Sequence, residues 1–275
     1  MSTITQKINF LRIVEIEKIV RESPTVKTFF FADELSAQGK PGQFIMVWIP
    51  GYDEVPMSIS STCSDDLVSI TVANVGEATR IMHKQEAGGI LGIRGPFGNS
   101  FSPVKGKALL VGGGTGIAPL VFLAAELAKL KTKLTFLLGA KTKEELIFLS
   151  YIKAIISRTK GKINAATEDG SFGHKGVVTE LVETTLAKEK FDKIYACGRE
   201  PMLYKIFELS NMHKISLQMS LERIIRCAIG LCGSCTIGKY RVCADGPVFT
   251  SNQLQEVVNE FGKLKRDFNG TKISV

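Results

Sequence analysis

The sequence predicts a chain in three parts: an antiparallel β-barrel over residues 1–102, a Rossmann-like parallel α/β domain over 103–218, and a small cysteine-rich segment over 219–275. Three observations predict it. The first hundred residues are short β-type runs broken by Gly, Pro, Asp and Ser. The next hundred alternate apolar runs with helical periods. Near the end, four of the six cysteines fall within seventeen residues.

In the first part the runs are INFLRIVEIEKIV, TVKTFFF, GQFIMVWI, LVSITVAN and GILGIRG, with a helical period only around 77–85. Such spacing suggests a small antiparallel barrel. VPMSIS (55–60) reads as a proline-fixed turn whose serines can bond a flavin ring or a phosphate. VGEATRIMH (75–83) reads as a helix start whose amides can face a pyrophosphate. Taken singly, each is equally a structural turn.

The second part opens with KALLVGGGTGIAPLVFLAAELAKL, a buried strand (107–111), a glycine turn and a helix from Ile117. The turn lacks the G-x-G-x-x-G spacing of the ordinary dinucleotide fingerprint. Apolar runs at 134–140, 162–169 and 193–198 then alternate with helical stretches at 143–157, 176–188 and 200–211. GGGTG, TEDGS (167–171) and CGREPM (197–202) all close strands, so they converge on the C-terminal edge of one sheet, where nucleotides bind. An empty scaffold is the plainer alternative. Residues 108–125 carry no charge, but four glycines, a threonine and Pro119 argue against a membrane span.

Apolar content of 44% and charged content of 23% are ordinary for a soluble protein. The net charge of +8 is spread along the chain without interleaved aromatics, so nucleic acid is not indicated. A basic surface facing solvent or an acidic protein partner is the better reading. The N-terminal stretch carries charges throughout and is no signal peptide, which places the protein in the cytoplasm. Cysteines there serve metals or chemistry more often than disulfides.

Cys227, Cys232, Cys235 and Cys243 are separated by four, two and seven residues. The C-x4-C-x2-C opening is the spacing of plant-type [2Fe–2S] sites, completed by a more distant cysteine. Gly230 and Gly233 let the backbone bend around sulfide, and Ala228, Ser234 and Thr236 leave amides free to face sulfur. A four-cysteine zinc site is the alternative, although structural zinc usually pairs one C-x2-C with another or with His. Asp245 is a spare oxygen ligand. Cys63 and Cys197 stand apart from the group.

A barrel with a P-x-S segment, then GGGTGIAPL, then CGREPM resembles the ferredoxin–NADP reductase superfamily over residues 8–215. With MSLERIIRCAIGLCGSC and VCADGPVF appended, the whole chain resembles the iron–sulfur electron-transfer subunits of two-subunit dihydroorotate dehydrogenases. That resemblance implies FAD held by Pro56, Met57, Ser58, Val72, Ala73, Asn74, Gly76, Ala78 and Thr79. It implies a nicotinamide cofactor at Gly112, Gly113, Gly114, Thr115 and Gly116, and near Cys197, Gly198, Arg199, Pro201 and Met202. The four clustered cysteines match the cluster ligands.

The resemblance also implies a partner: an FMN-containing catalytic subunit that oxidises dihydroorotate, assembled two of each, with electrons passing between its FMN and NAD. Nothing here marks a dihydroorotate site. A related flavin/iron–sulfur subunit of a hydrogenase, sulfide dehydrogenase or transhydrogenase remains open, as does a zinc-stabilised binding module without redox work. The departures from the family are specific. Val55 stands where members commonly carry Arg, leaving Arg80 as the candidate phosphate contact; Ala228 and Ala78 replace usual glycines; and the Cys235–Cys243 loop is short. In GAKTKEEL, Lys141 and Lys143 can meet a 2′-phosphate whereas Glu144 and Glu145 repel one, which points to NAD.

Overall fold

The computed structural model describes residues 7–62 and 66–275. The first sheet contains β1 (Arg12–Glu15), β2 (Lys18–Ser23), β3 (Val26–Ala32), β4 (Phe44–Ile49), β5 (Asp53–Thr62), β6 (Leu67–Ala73) and β7 (Ile90–Phe97). Their order is β1-β7-β4-β5-β6-β3-β2, and every pairing is antiparallel. β1 and β2 lie at opposite ends of that order yet are consecutive in the chain. The chain changes partner between them: the Ile16 amide donates to Gly89 O (2.7 Å) and the Glu17 amide to Phe30 O (2.8 Å). This closes the sheet around Ile16, Phe29, Phe31, Ile45, Val47, Ile59 and Ile70, all fully buried.

VPMSIS is not a turn. Pro56 lies opposite Met46 and Met57 opposite Ile45, inside β5. The strand's irregularity comes at Ile59–Ser61, where it leaves β4 and joins β6. The alternation of Val55, Met57 and Ile59 was a strand signal that the proline masked.

The second sheet contains β8 (Lys107–Gly113), β9 (Lys133–Ala140), β10 (Lys162–Thr167), β11 (His174–Lys175), β12 (Lys193–Cys197), β13 (Ser216–Ser220) and, after the short hairpin β14 (Thr236–Ile237) and β15 (Tyr240–Arg241), β16 (Val248–Thr250). Its order is β11-β10-β9-β8-β12-β13-β16. All pairs are parallel except β13 with β16. The helices that follow the chain are α1 (Glu34–Ala37), α2 (Glu77–Met82), α3 (Ile117–Lys129), α4 (Leu149–Thr159), α5 (Val178–Lys188), α6 (Glu200–His213), α7 (Val242–Asp245) and α8 (Ser251–Glu256).

The barrel and parallel α/β layers are thus those the sequence predicts. The helix expected over 143–157 is shorter: a 3-10 turn spans Lys143–Glu145, and Phe148 at φ +59° separates it from α4. Phe122 of α3 packs into the barrel core, locking the two layers together. Through β16 the cysteine-bearing segment adds an edge strand to the second sheet, and it ends in the hairpin β17 (Leu264–Arg266) and β18 (Lys272–Ser274). Among the described residues no helix is long and apolar enough to cross a membrane.

Candidate functional site

Two adjoining cavities, of about 270 and 920 Å³, lie between the barrel and the C-terminal edge of the parallel sheet, sharing Met57, Thr71, Thr115 and Glu222 as walls. The smaller is lined by Pro56, Ser58, Gly116, Cys197, Ser220 and Arg223. The larger runs past Val72, Ala73, Asn74 and Thr79 on the barrel side. On the sheet side it meets Gly113, Gly114, Gly198, Arg199, Pro201 and Met202. Strand ends of a parallel sheet open onto such a crevice because the turns leaving them splay apart.

Three sequence-predicted residues stay out of both cavities. Gly112 is a packing glycine, since a Cβ there would lie 2.8 Å from Ile117 Cγ1. Gly76 is the N-cap of α2, and half-buried Ala78 packs against the barrel core. Thr79 is occupied locally: its hydroxyl accepts from the amides of Val75 (3.0 Å) and Gly76 (2.9 Å). Arg80 is exposed and lines neither cavity.

Lys141 and Glu145 both reach the larger cavity, joined by Glu168, which follows β10. Burial pushes the Cys197 thiol well above its ordinary value, so it stays protonated. Sequence reasoning missed Glu222. It faces both cavities with its side chain open to solvent, while the cleft walls crowded around the carboxyl raise its pKa against the opposing pull of Arg199. Its signal was available: it follows the end of a strand, as GGGTG and CGREPM do.

The cleft fits a flavin dinucleotide. Gly114 takes φ +56° with no atom within 4 Å of a Cβ position, so its backbone lies open to a ligand. The smaller cavity is walled by apolar Met57, Pro56 and Ile225, with Ser58, Thr71, Thr115, Ser220, Glu222 and Arg223 as polar groups, a mixed surface that can stack a planar heteroaromatic ring and bond its edge.

The four cysteines come together as two pairs. The Cys243 amide donates to Cys235 Sγ (3.4 Å), and the amides of Leu231 and Cys232 donate to Cys227 Sγ (3.4 and 3.5 Å). The Cys243 thiol also bonds Cys235, which brings Cys235 down to about 6 and pushes Cys243 up. A bond to the Ser234 hydroxyl brings Cys232 down to about 7. Thiolates are therefore available near neutrality.

Among the described residues no three His, Cys, Asp or Glu side chains are placed to share one ion. Two pairs suit two irons, each taking two cysteines, better than one tetrahedral zinc. Asp245 is engaged by Arg241 instead: its carboxylate accepts from the Arg241 amide (2.7 Å) and Nε (3.2 Å). Arg241 in turn donates to Gly230 O (3.1 Å), clamping the loop. Ala228, buried within that loop, sits at φ +62°. Cys232 is exposed, with Leu231 beside it exposed at 79%. Cys63 lies outside the described residues.

Residues 110–206 match the family described as oxidoreductase NAD-binding domain, and 222–255 match the iron-sulfur cluster binding domain of dihydroorotate dehydrogenase B. The chain is 44% identical over 263 residues to the probable dihydroorotate dehydrogenase B (NAD(+)) electron transfer subunit of Methanocaldococcus jannaschii, covering 95% of this chain and 97% of that one. The chain belongs to the family of dihydroorotate dehydrogenase B electron transfer subunits.

Among members of this family, the relative from Pyrococcus horikoshii is 43% identical over 256 residues, covering 93% of this chain and 96% of the relative. A solved structure of an NADH-dependent reduced ferredoxin-NADP oxidoreductase, studied for flavin-based electron bifurcation, has 29% identity and a TM-score of 0.80. It covers 91% of this chain and 93% of that one. The Amycolatopsis cytochrome P450 reductase GcoB, at 19% identity and a TM-score of 0.66 over 74% of this chain and 67% of its own, shares the fold.

Proposed function

We propose that this chain is the electron-transfer half of a cytoplasmic two-component dihydroorotate dehydrogenase. In it, electrons pass between the FMN of a catalytic partner and NAD, through FAD in the cleft and a [2Fe–2S] cluster on Cys227, Cys232, Cys235 and Cys243, with two copies of each subunit. The observation that carries the reading is continuity: Ser220–Arg223 line the cleft, and four residues later the chain reaches the first clustered cysteine.

When bound, FAD supplies two-electron exchange with nicotinamide and one-electron exchange with the cluster. The chain's own residues prepare the site. Pro56, Met57 and Ser58 hold one side of the ring cavity, and Gly116, Cys197 and Ser220 the other. Gly113, Gly114 and Gly198 keep side chains away where nicotinamide approaches. The neutral Cys197 thiol adds no charge there, while crowding by the cleft walls makes Glu222 hold its proton more readily than a free glutamate. Two backbone amides on Cys227 Sγ and one on Cys235 Sγ hold these ligand sulfurs in place for the cluster.

The test is isolation of the native complex and assay for dihydroorotate oxidation coupled to NAD reduction. Orotate formed with NADH in equal amount supports the reading. A complex that oxidises no dihydroorotate overturns it in favour of another flavin/iron–sulfur assembly, such as a transhydrogenase. A colourless, zinc-loaded chain overturns electron transfer altogether.

A further inference from the structure

Arg223 and Glu200 form a buried ion pair whose side chains are only 3% and 8% exposed. Arg223 Nη2 donates to Glu200 Oε1 at 2.7 Å and Nη1 to Oε2, a two-pronged fork. The same groups reach further. Nη1 also donates to Glu222 O (3.0 Å) and Nη2 to Leu264 O (3.3 Å), while Glu200 Oε1 accepts from the Gly262 amide (2.8 Å). One ion pair thus ties together the first turn of α6, the stretch that follows β13, and the approach to the C-terminal hairpin.

Its position is informative. Glu200 lies between Arg199 and Pro201, both walls of the larger cavity, and turns away from that cavity. Arg223 itself lines the smaller cavity beside Glu222, which faces both, and lies four residues before Cys227. Among the described residues, Arg223 Nε is buried and has no hydrogen-bond partner. A buried ion pair with one donor unsatisfied is poor value for stability, since apolar residues of similar volume do as well or better. What a fork–fork pair supplies beyond stability is register, because its planar geometry fixes both backbones at once.

We propose that the Arg223–Glu200 pair is a positioning element, which holds the nicotinamide-facing loop in register with the segment that carries Glu222 and leads to Cys227. The proposal rests on the reading that a nicotinamide cofactor enters the larger cavity. Contact of that cofactor with Arg199, Pro201 or Met202 is then transmitted through Glu200 to residues 222–227 and to Gly262.

The experiment uses the chain loaded with FAD and cluster, with and without saturating NAD, followed by amide hydrogen exchange and equilibrium NAD binding. In the wild type, NAD slows exchange at 199–203 and also at Gly262 and across 224–231. In Glu200→Gln the remote protection is lost, the NAD dissociation constant rises about tenfold, and flavin reduction by NADH slows by about tenfold or more. Arg223→Lys, with charge but no fork, falls between the two. Should Glu200→Gln fail to fold, the double variant Glu200→Leu/Arg223→Met keeps the volume apolar and is read in the same way. Variants that bind NAD as the wild type does and keep the remote protection overturn the proposal, leaving only a structural brace. A wild type that binds no NAD overturns the nicotinamide reading itself, and this proposal with it.

Discussion

Gly116 and Cys197 meet backbone to backbone at the sheet edge: a Cβ on Gly116 would lie 2.5 Å from both the carbonyl carbon and oxygen of Cys197 and 2.6 Å from the nitrogen of Gly198. The atoms in the way belong to the main chain and cannot swing aside. Only a residue without a side chain lets the glycine turn close onto the end of β12. Gly116→Ala is expected to push the two turns apart, to cost about 1–3 kcal/mol of stability as overpacking does, and to weaken NADH-driven flavin reduction. Thermal unfolding and stopped-flow reduction check it; a variant unchanged in both would show that the turn adapts freely.

Ala228 carries strain that its neighbours Gly230 and Gly233 do not. All three have positive φ, but only Ala228 has a Cβ to crowd. Ala228→Gly relieves that crowding and loses one buried methyl, while adding freedom to the unfolded chain. The balance is expected to be a gain of about 0.5–1 kcal/mol with the cluster spectrum unchanged. Chemical denaturation of the loaded chain reads it directly, and a less stable variant would mean that the methyl's packing outweighs the strain.

The parallel sheet was legible because most of its strands are largely apolar runs that end in small residues and alternate with helical stretches. The cysteine loop was legible from spacing alone. What escaped was whatever tertiary context decides. Pro56 reads as a turn in isolation, yet β4 and β6 flank it and hold it extended. Gly112 reads as a ligand glycine, whereas the Cβ position it leaves empty is taken up by Ile117; Gly116 both lines the smaller cavity and packs its backbone against Cys197. Glu222 and Arg223 are ordinary charged residues in the sequence; only the closing of the barrel against the sheet places one in the cleft and buries the other.

Crowding by the cleft walls raises the Glu222 carboxyl above its ordinary 4.5, with Arg199 opposing, although the side chain is open to solvent. The sign follows from linkage. A carboxyl whose folded value is raised contributes stability that is fully present below the unfolded value and lost as pH rises through the folded one. Glu222→Gln removes that loss. The variant is expected to match the wild type below pH 4.5 and to gain on it progressively at higher pH. Melting temperatures measured from pH 4 to 8 check this, and a gap that narrows with rising pH would contradict it.

Lys141, Glu145 and Glu168 stand together on the wall of the larger cavity. Two carboxylates near a ribose favour a 2′-hydroxyl and repel a 2′-phosphate, and Lys141 beside them does not outweigh both; Lys205 and Arg199 line the same cavity on later elements of the chain. NADH is expected to reduce the flavin at least about tenfold faster than NADPH at equal low concentration. Glu145→Gln with Glu168→Gln should narrow that ratio chiefly through KM. An unchanged ratio in the double variant would place the discrimination elsewhere.

The ligand set itself is testable one residue at a time. Cys235 and Cys243 are buried and bonded to each other, so Cys235→Ser or Cys243→Ser removes half of one pair and should abolish the cluster. Asp245 is held by Arg241 and is only partly buried, so Asp245→Asn should leave iron content and visible spectrum intact and alter stability little. Cys197→Ser should keep the full cluster, because that thiol lines the flavin-side cavity at the end of β12. Iron and sulfide analysis with electron paramagnetic resonance after reduction distinguishes the cases. Loss of iron in Asp245→Asn would return that carboxylate to the list of ligands, and retention in Cys243→Ser would remove the fourth cysteine from it.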